Sequence, residues 1–224
     1  MLLDAVKGNL NLSEFIVMVI SSLTVIFLTM PIHEFSHGFV ASKLGDPTPK
    51  FMGRLTLNPF AHIDYMGALC ILLFNFGWAK PVQVNTRYFK NPKRDMALTA
   101  AAGPLSNILL AFLSMLIFSF IYNIFNFNDT IITYIFLFFY YIAIINIHLA
   151  VFNLIPIPPL DGSKILNVIL PYKLYYKILR YERYATILLF ALLYTGVLSR
   201  PINIVANYVI NGILYITQLP FNLF

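Results

Sequence analysis

The chain has 224 residues, 59% of them hydrophobic and 11% charged, and its mean hydropathy is +0.78. That leaves too little polar surface to coat a soluble globule of this size, so the composition excludes a soluble enzyme and indicates a membrane protein. The net charge of +6 follows topology rather than a nucleic-acid footprint, as the distribution of Lys and Arg shows below, and the single cysteine, Cys70, excludes an intrachain disulfide and a cysteine-rich metal site.

In chain order, Met1 to Asn11 carries Asp4 and Lys7 with no basic cluster, and no small-x-small cleavage site follows, so the first apolar span is expected to stay in the mature protein. Ser13-Glu14 opens a helix that Leu44-Gly45-Asp46-Pro47 closes. At 1.5 Å per residue it is roughly 48 Å long, more than a hydrocarbon core, and Pro31 is the expected kink. Residues 45–65 and 77–94 read as loops, with Pro81-Val82-Gln83-Val84-Asn85 alternating as a short strand. Between them Tyr65 to Phe76 is apolar but only a dozen residues long, which predicts a re-entrant or interfacial helix.

A second long helix runs from Asp95 to Phe125, with Gly103 and Ser106 as a small contact face and Pro104 as a bend, and a third runs from Thr130 to Leu154. The third ends in Pro156-Ile157-Pro158-Pro159-Leu160-Asp161-Gly162, which cannot be regular helix. The aromatic runs Phe136 to Tyr141 and Tyr172 to Tyr184 read as lipid-facing or interfacial. Residues 184–218, interrupted by Gly196 and Ser199-Arg200-Pro201, predict two short membrane helices. With the N-terminus outside, segments 43–95 and 160–183 lie on the inner face and hold thirteen of the fifteen Lys and Arg, while the outer turn Asn126 to Thr130 holds none. The expectation is a single all-α, polytopic helical-bundle domain over 1–224 with a three-helix core about 13–165, a re-entrant segment and a short strand loop.

One constellation carries chemistry. In His33-Glu34-Phe35-Ser36-His37 the histidines are four residues apart, so on a helix both imidazoles leave one face and can share a divalent ion, with Glu34 beside it. Ionisable groups inside a membrane cost a few kcal/mol unless paired, solvated or ligated, and a metal gives all three residues one explanation. A catalytic zinc takes three protein ligands and keeps one position open. Asp161 is the best further donor, the only acidic residue between Asp129 and Glu182 and set in a broken helix; Asp-Gly followed by Ser163 also reads as a turn or helix cap. His62 reads as a loop residue paired with a carboxylate, and His148 as a buried, hydrogen-bonded helix residue.

The motif His-Glu-x-x-His at 33–37, Ala102-Gly103-Pro104-Leu105-Ser106-Asn107, and Asn153 through Gly162 together resemble the site-2 protease family of intramembrane zinc metalloproteases. Gly53-Arg54-Leu55-Thr56-Leu57-Asn58-Pro59 and Gly77-Trp78-Ala79-Lys80-Pro81-Val82 resemble its compact bacterial members, so residues 30–165 are covered. The resemblance implies one Zn²⁺ per chain on His33, His37 and Asp161, Glu34 as general base, and a transmembrane segment of another protein as substrate. It also implies a multi-pass protein of the cytoplasmic membrane whose site faces the cytoplasm, with the lipid bilayer and no nucleic acid as partner. Two further roles are expected: Asn153 as a donor to the substrate backbone or oxyanion, a helix-end cap being the alternative, and Pro81 to Asn85 as a docking edge for an unwound substrate. Neither a PDZ-like nor a nucleotide-sensing module is expected in the chain. The competing class, an inactive scaffold or a transporter, fits poorly with an intact His33, Glu34, His37 and Asp161 and with ionisable groups gathered in one place.

Overall fold

The computed structural model describes residues 11–74, 79–125 and 130–222. Helix α1 (Leu12–Lys43) begins at Asn11, whose side chain accepts the Glu14 N–H at 2.8 Å while the Glu14 carboxylate accepts the Asn11 N–H. This reciprocal cap satisfies two donors that the first turn leaves over. Pro31 has no N–H for the carbonyl a turn behind it, and the helix widens just before the proline. Val25–Thr29 is a π-helical turn, closed by the Met30 N–H on the Val25 carbonyl. The buried hydroxyls of Ser22 and Thr29 donate to carbonyls of their own helix, which hides them from the apolar surroundings.

After α1 come two single-turn helices, α2 (Thr48–Phe51) and α3 (Pro59–His62), and then α4 (Tyr65–Phe74). Helix α4 has 10 described residues, about 15 Å of helix. Gly77 and Trp78, together with 75 and 76 and the Asn126 to Asp129 part of the outer turn, lie outside the described residues.

The strand expected over Pro81 to Asn85 is not formed, and no strand occurs among the described residues. The segment is tied to side chains and loops rather than to a second strand: Lys80 N–H donates to the His62 carbonyl at 2.7 Å, Val82 N–H to Glu34 Oε2 at 2.9 Å and Asn85 N–H to Asp46 Oδ2 at 2.7 Å. Asp46, fully buried, also accepts the Thr48 N–H at 2.9 Å, so one carboxylate pins both loops to the end of α1.

Helices α5 (Pro92–Ile124) and α6 (Thr130–Asn153) pack along each other and α1 lies against both. Their apolar centre, around Met115 and Phe118 of α5 and Ile147 of α6, is completed by a helix from the far end of the chain. Phe136 stacks on Phe118 at a centroid distance of 4.2 Å, so part of the aromatic run expected to face lipid is packed inside the bundle instead.

The prolines after α6 break the helix as expected, and the chain folds back under its end to start α7 (Asp161–Leu166) with Leu160 as N-cap. Gly162 makes this possible, because a Cβ there would lie 2.6 Å from the Ile155 carbonyl oxygen. Helices α8 (Tyr172–Arg180), α9 (Glu182–Tyr194) and α10 (Ser199–Asn222) follow.

The C-terminal pair differs from two short helices. The break falls at Gly196, with φ +74°, but Pro201 sits in the first turn of α10, where no N–H is required, so α10 continues for 24 residues. It supplies the Ala206, Ile210 and Ile213 side of the bundle core. The described residues thus hold four helices long and apolar enough to cross a membrane, α1, α5, α6 and α10, and the protein is an all-α, multi-pass membrane protein.

Candidate metal centre

The regular helix that resumes at Met30 projects His33 and His37 from one face of α1, their rings edge to face with centroids 4.7 Å apart. Helix α5 runs across that face at a glycine. A Cβ on Gly103 would lie 2.6 Å from His33 Cε1 and would overlap the His37 ring as well, so only a glycine lets the two helices approach with both imidazoles between them. The folded-back turn brings Asp161 to the same point.

Three donor atoms then meet. His33 Nε2 and His37 Nε2 are 3.1 Å apart, and Asp161 Oδ2 is 3.4 Å from the first and 3.1 Å from the second. Metal–ligand bonds of about 2.0–2.1 Å in a tetrahedron place donors roughly 3.3–3.4 Å apart, so this triangle has the dimensions of one face of a zinc tetrahedron. His37 Nδ1 donates to the Thr99 carbonyl at 2.8 Å, which fixes the proton on that nitrogen and leaves Nε2 for the shared point. Without a metal, a proton can bridge only one edge of the triangle at a time and leaves lone pairs facing one another; a cation satisfies all three.

The three residues are nearly closed to solvent, the histidines 8% and Asp161 5% exposed. Asp161 lies outside the four long helices. Burial pushes its carboxyl up, but the charge His37 carries when a proton bridges their shared edge, together with the Lys164 ammonium, outweighs this and holds it well below the usual carboxylate range. Its second oxygen, Oδ1, is 3.0 Å from Lys164 Nζ. The turn-or-cap alternative for Asp161 does not describe the structure, since Leu160 is the cap and the carboxylate is spent on the histidines and Lys164.

Glu34, one residue from His33, sits within 4.8 Å of the imidazole donors, and its Oε2 is held by the Val82 N–H. These residues line a cavity of about 580 Å³ whose remaining wall is largely apolar, with the 79–84 segment on one side and α9 on another. Asn153 also lines it, but its amide donates to the Leu149 carbonyl at 2.9 Å, a helix-end bond. Asn107 lines it from α5 with a buried Oδ1 that has no partner among the described residues, and the same holds for His33 Nδ1.

The other two histidines are elsewhere. His62 is fully buried with Nε2 on the Thr56 carbonyl at 2.8 Å, so its partner is main chain rather than the carboxylate expected. His148 Nδ1 donates to the Ile144 carbonyl at 2.8 Å, and its Nε2 lies 3.3 Å from the Asn203 side-chain amide.

The sequence gives no sign of the Val82 and Thr99 contacts, because every residue carries a main-chain donor and acceptor. Lys164 does have a signal, three residues beyond Asp161 on what becomes one turn of helix.

Residues 118–196, from the end of α5 to the turn after α9, match Peptidase family M50. The chain is 38% identical over 172 residues to "Putative zinc metalloprotease YwhC" of Bacillus subtilis, an overlap of 76% of this chain and 78% of that protein. It is 29% identical over 141 residues to "Putative zinc metalloprotease Rip2" of Mycobacterium tuberculosis, an overlap of 60% of this chain and 51% of that one. No solved structure matches.

Proposed function

The chain belongs to peptidase family M50, the site-2 protease family, and from that premise we propose that it is a zinc endopeptidase that hydrolyses peptide bonds in transmembrane segments of other membrane proteins. The observation that carries this is the convergence of His33 Nε2, His37 Nε2 and Asp161 Oδ2 on one point, at tetrahedral spacing, beside an acid that stays out of the triangle.

His33, His37 and Asp161 would hold one Zn²⁺. Bound there, the ion supplies Lewis acidity, polarising a peptide carbonyl and making water beside it easier to deprotonate. Glu34 is the general base: with Oε2 held by the Val82 N–H, Oε1 takes a proton from the attacking water and passes it to the leaving amine nitrogen as the C–N bond breaks. The apolar wall of the cavity keeps other water from the site. Asn153 spends one amide hydrogen on Leu149 and has a second for a substrate carbonyl.

A transmembrane helix has its carbonyls sealed in hydrogen bonds, so a substrate must be drawn out before attack. The Pro81 to Asn85 segment, with Pro81, Val82 and Val84 on the cavity wall, is the edge along which we place it. The charge distribution supports a site at the cytoplasmic side of the cytoplasmic membrane; labelling of a Lys90→Cys variant from outside intact cells would contradict that orientation.

The test pairs metal content with cleavage. Purified in detergent, the protein should hold about one zinc per chain, retain it in Glu34→Gln and lose it in His33→Ala and Asp161→Ala. A reporter should be cut only when its site lies within a membrane helix, and not at all by Glu34→Gln. An active Glu34→Gln enzyme removes the base from Glu34, and a folded wild type without metal removes the proposal.

A further inference from the structure

Asp161 divides its two oxygens between two tasks. Oδ2 faces both histidine Nε2 atoms, at 3.4 and 3.1 Å, while Oδ1 is 3.0 Å from the Lys164 ammonium, one turn further along α7. Lys164 is not needed to neutralise a stray acid, since Asp161 already has the imidazoles. Nor is it a surface ion pair, because Asp161 is buried and the Lys164 side chain, 35% exposed, reaches into the cavity wall. A lysine beside a cation site is electrostatically unfavourable for binding that cation, so its presence needs another reason.

We propose that Lys164 is a positioning residue that occupies Oδ1 of Asp161 so that the carboxylate meets the metal through Oδ2 alone. This rests on the zinc reading above. A carboxylate with both oxygens available can chelate, and a second protein oxygen takes up the position that a catalytic zinc site keeps free. The ammonium donates a charge-assisted hydrogen bond to Oδ1 while both imidazoles face Oδ2, and this division fixes which oxygen meets them. Orienting partners of this kind are the usual companions of ligating carboxylates. Removing Lys164 should therefore leave the metal in place, bound as tightly or more tightly, while turnover falls.

The measurement uses the full chain in detergent with Co²⁺ as the probe, comparing wild type, Lys164→Met and Lys164→Arg. Four-coordinate Co²⁺ gives strong visible bands that weaken when a fifth donor enters. The expected result is strong bands in wild type and Lys164→Arg and weaker bands in Lys164→Met. Zinc affinity in Lys164→Met should be equal or higher, and its kcat roughly 10–100-fold lower at little-changed KM. Lys164→Arg should restore most of kcat. Two outcomes overturn the idea: unchanged bands and kcat in Lys164→Met, or metal affinity that falls together with thermal stability, which would make Lys164 only a brace for α7. A wild type that binds no cobalt fails at an earlier step, on the metal site itself, and takes this proposal with it.

Discussion

Helices α5 and α10 are both long and apolar, and each carries a glycine well inside it, Gly103 and Gly212. By composition the two positions are alike, and in the structure they are opposites. A Cβ at Gly103 would meet His33 and His37, whereas one at Gly212 would meet nothing within 4 Å. A small residue in a membrane helix therefore has no meaning of its own; what matters is which atoms occupy the room it leaves. Around the metal centre that room is filled by side chains with one workable position, and on α10 it is open.

The sharpest way to test this contrast is Gly103→Ala. The methyl cannot be accommodated without turning at least one imidazole away, so zinc affinity and cleavage should each drop by about 100-fold or more, the upper end for damage at a metal site, while the protein still inserts and folds. Equilibrium zinc competition reads it directly, and wild-type affinity in Gly103→Ala would show that α1 and α5 are not held at this distance. Gly162→Ala is next. Its methyl would press on the main chain of Leu154 and Ile155, which cannot rotate away as a side chain can. The fold-back that carries Asp161 should lose about 1–3 kcal/mol, as for other overpacked sites, seen as a lower thermal midpoint together with weaker zinc binding. A lower midpoint with zinc affinity intact would separate the fold-back from the site.

These contacts also show what a sequence makes legible. His33 and His37 could be paired from their spacing alone, because helix geometry is local and fixes which residues share a face. Asp161 could be singled out as a lone acid in a segment whose prolines forbid helix. The three long helices of the core were legible for the same reason, as unbroken apolar runs. The partners that came from the main chain were not, since Val82 N–H and Thr99 C=O have no distinguishing residue type. The strand expected at Pro81 to Asn85 failed on the same ground: alternation describes an extended chain, and whether it becomes a strand depends on a second strand, which here is replaced by Glu34, Asp46 and the His62 carbonyl. At the C-terminal end the Ser199-Arg200-Pro201 interruption predicts a shorter helix, but a proline in the first turn starts a helix as readily as it stops one.

Smaller effects complete the series and bound it from below. At Gly38 a Cβ would be 3.0 Å from Leu55 Cδ2, a flexible side-chain end, with Pro49 and Val82 behind it. Gly38→Ala should therefore cost no more than about 1 kcal/mol, the low end for an added methyl in a packed site, and its effect on cleavage should come only through the 79–85 segment. Gly212→Ala should cost nothing. With open space around the new methyl and a helix-favouring residue in place of glycine, stability should rise by up to about 1 kcal/mol, and zinc binding and cleavage should not change. The pair Gly103→Ala and Gly212→Ala thus compares one methyl with the same methyl. If Gly212→Ala were also to abolish cleavage at unchanged stability, α10 would have to present that face to something the reaction needs, and the division between a site end and a purely apolar end would no longer hold.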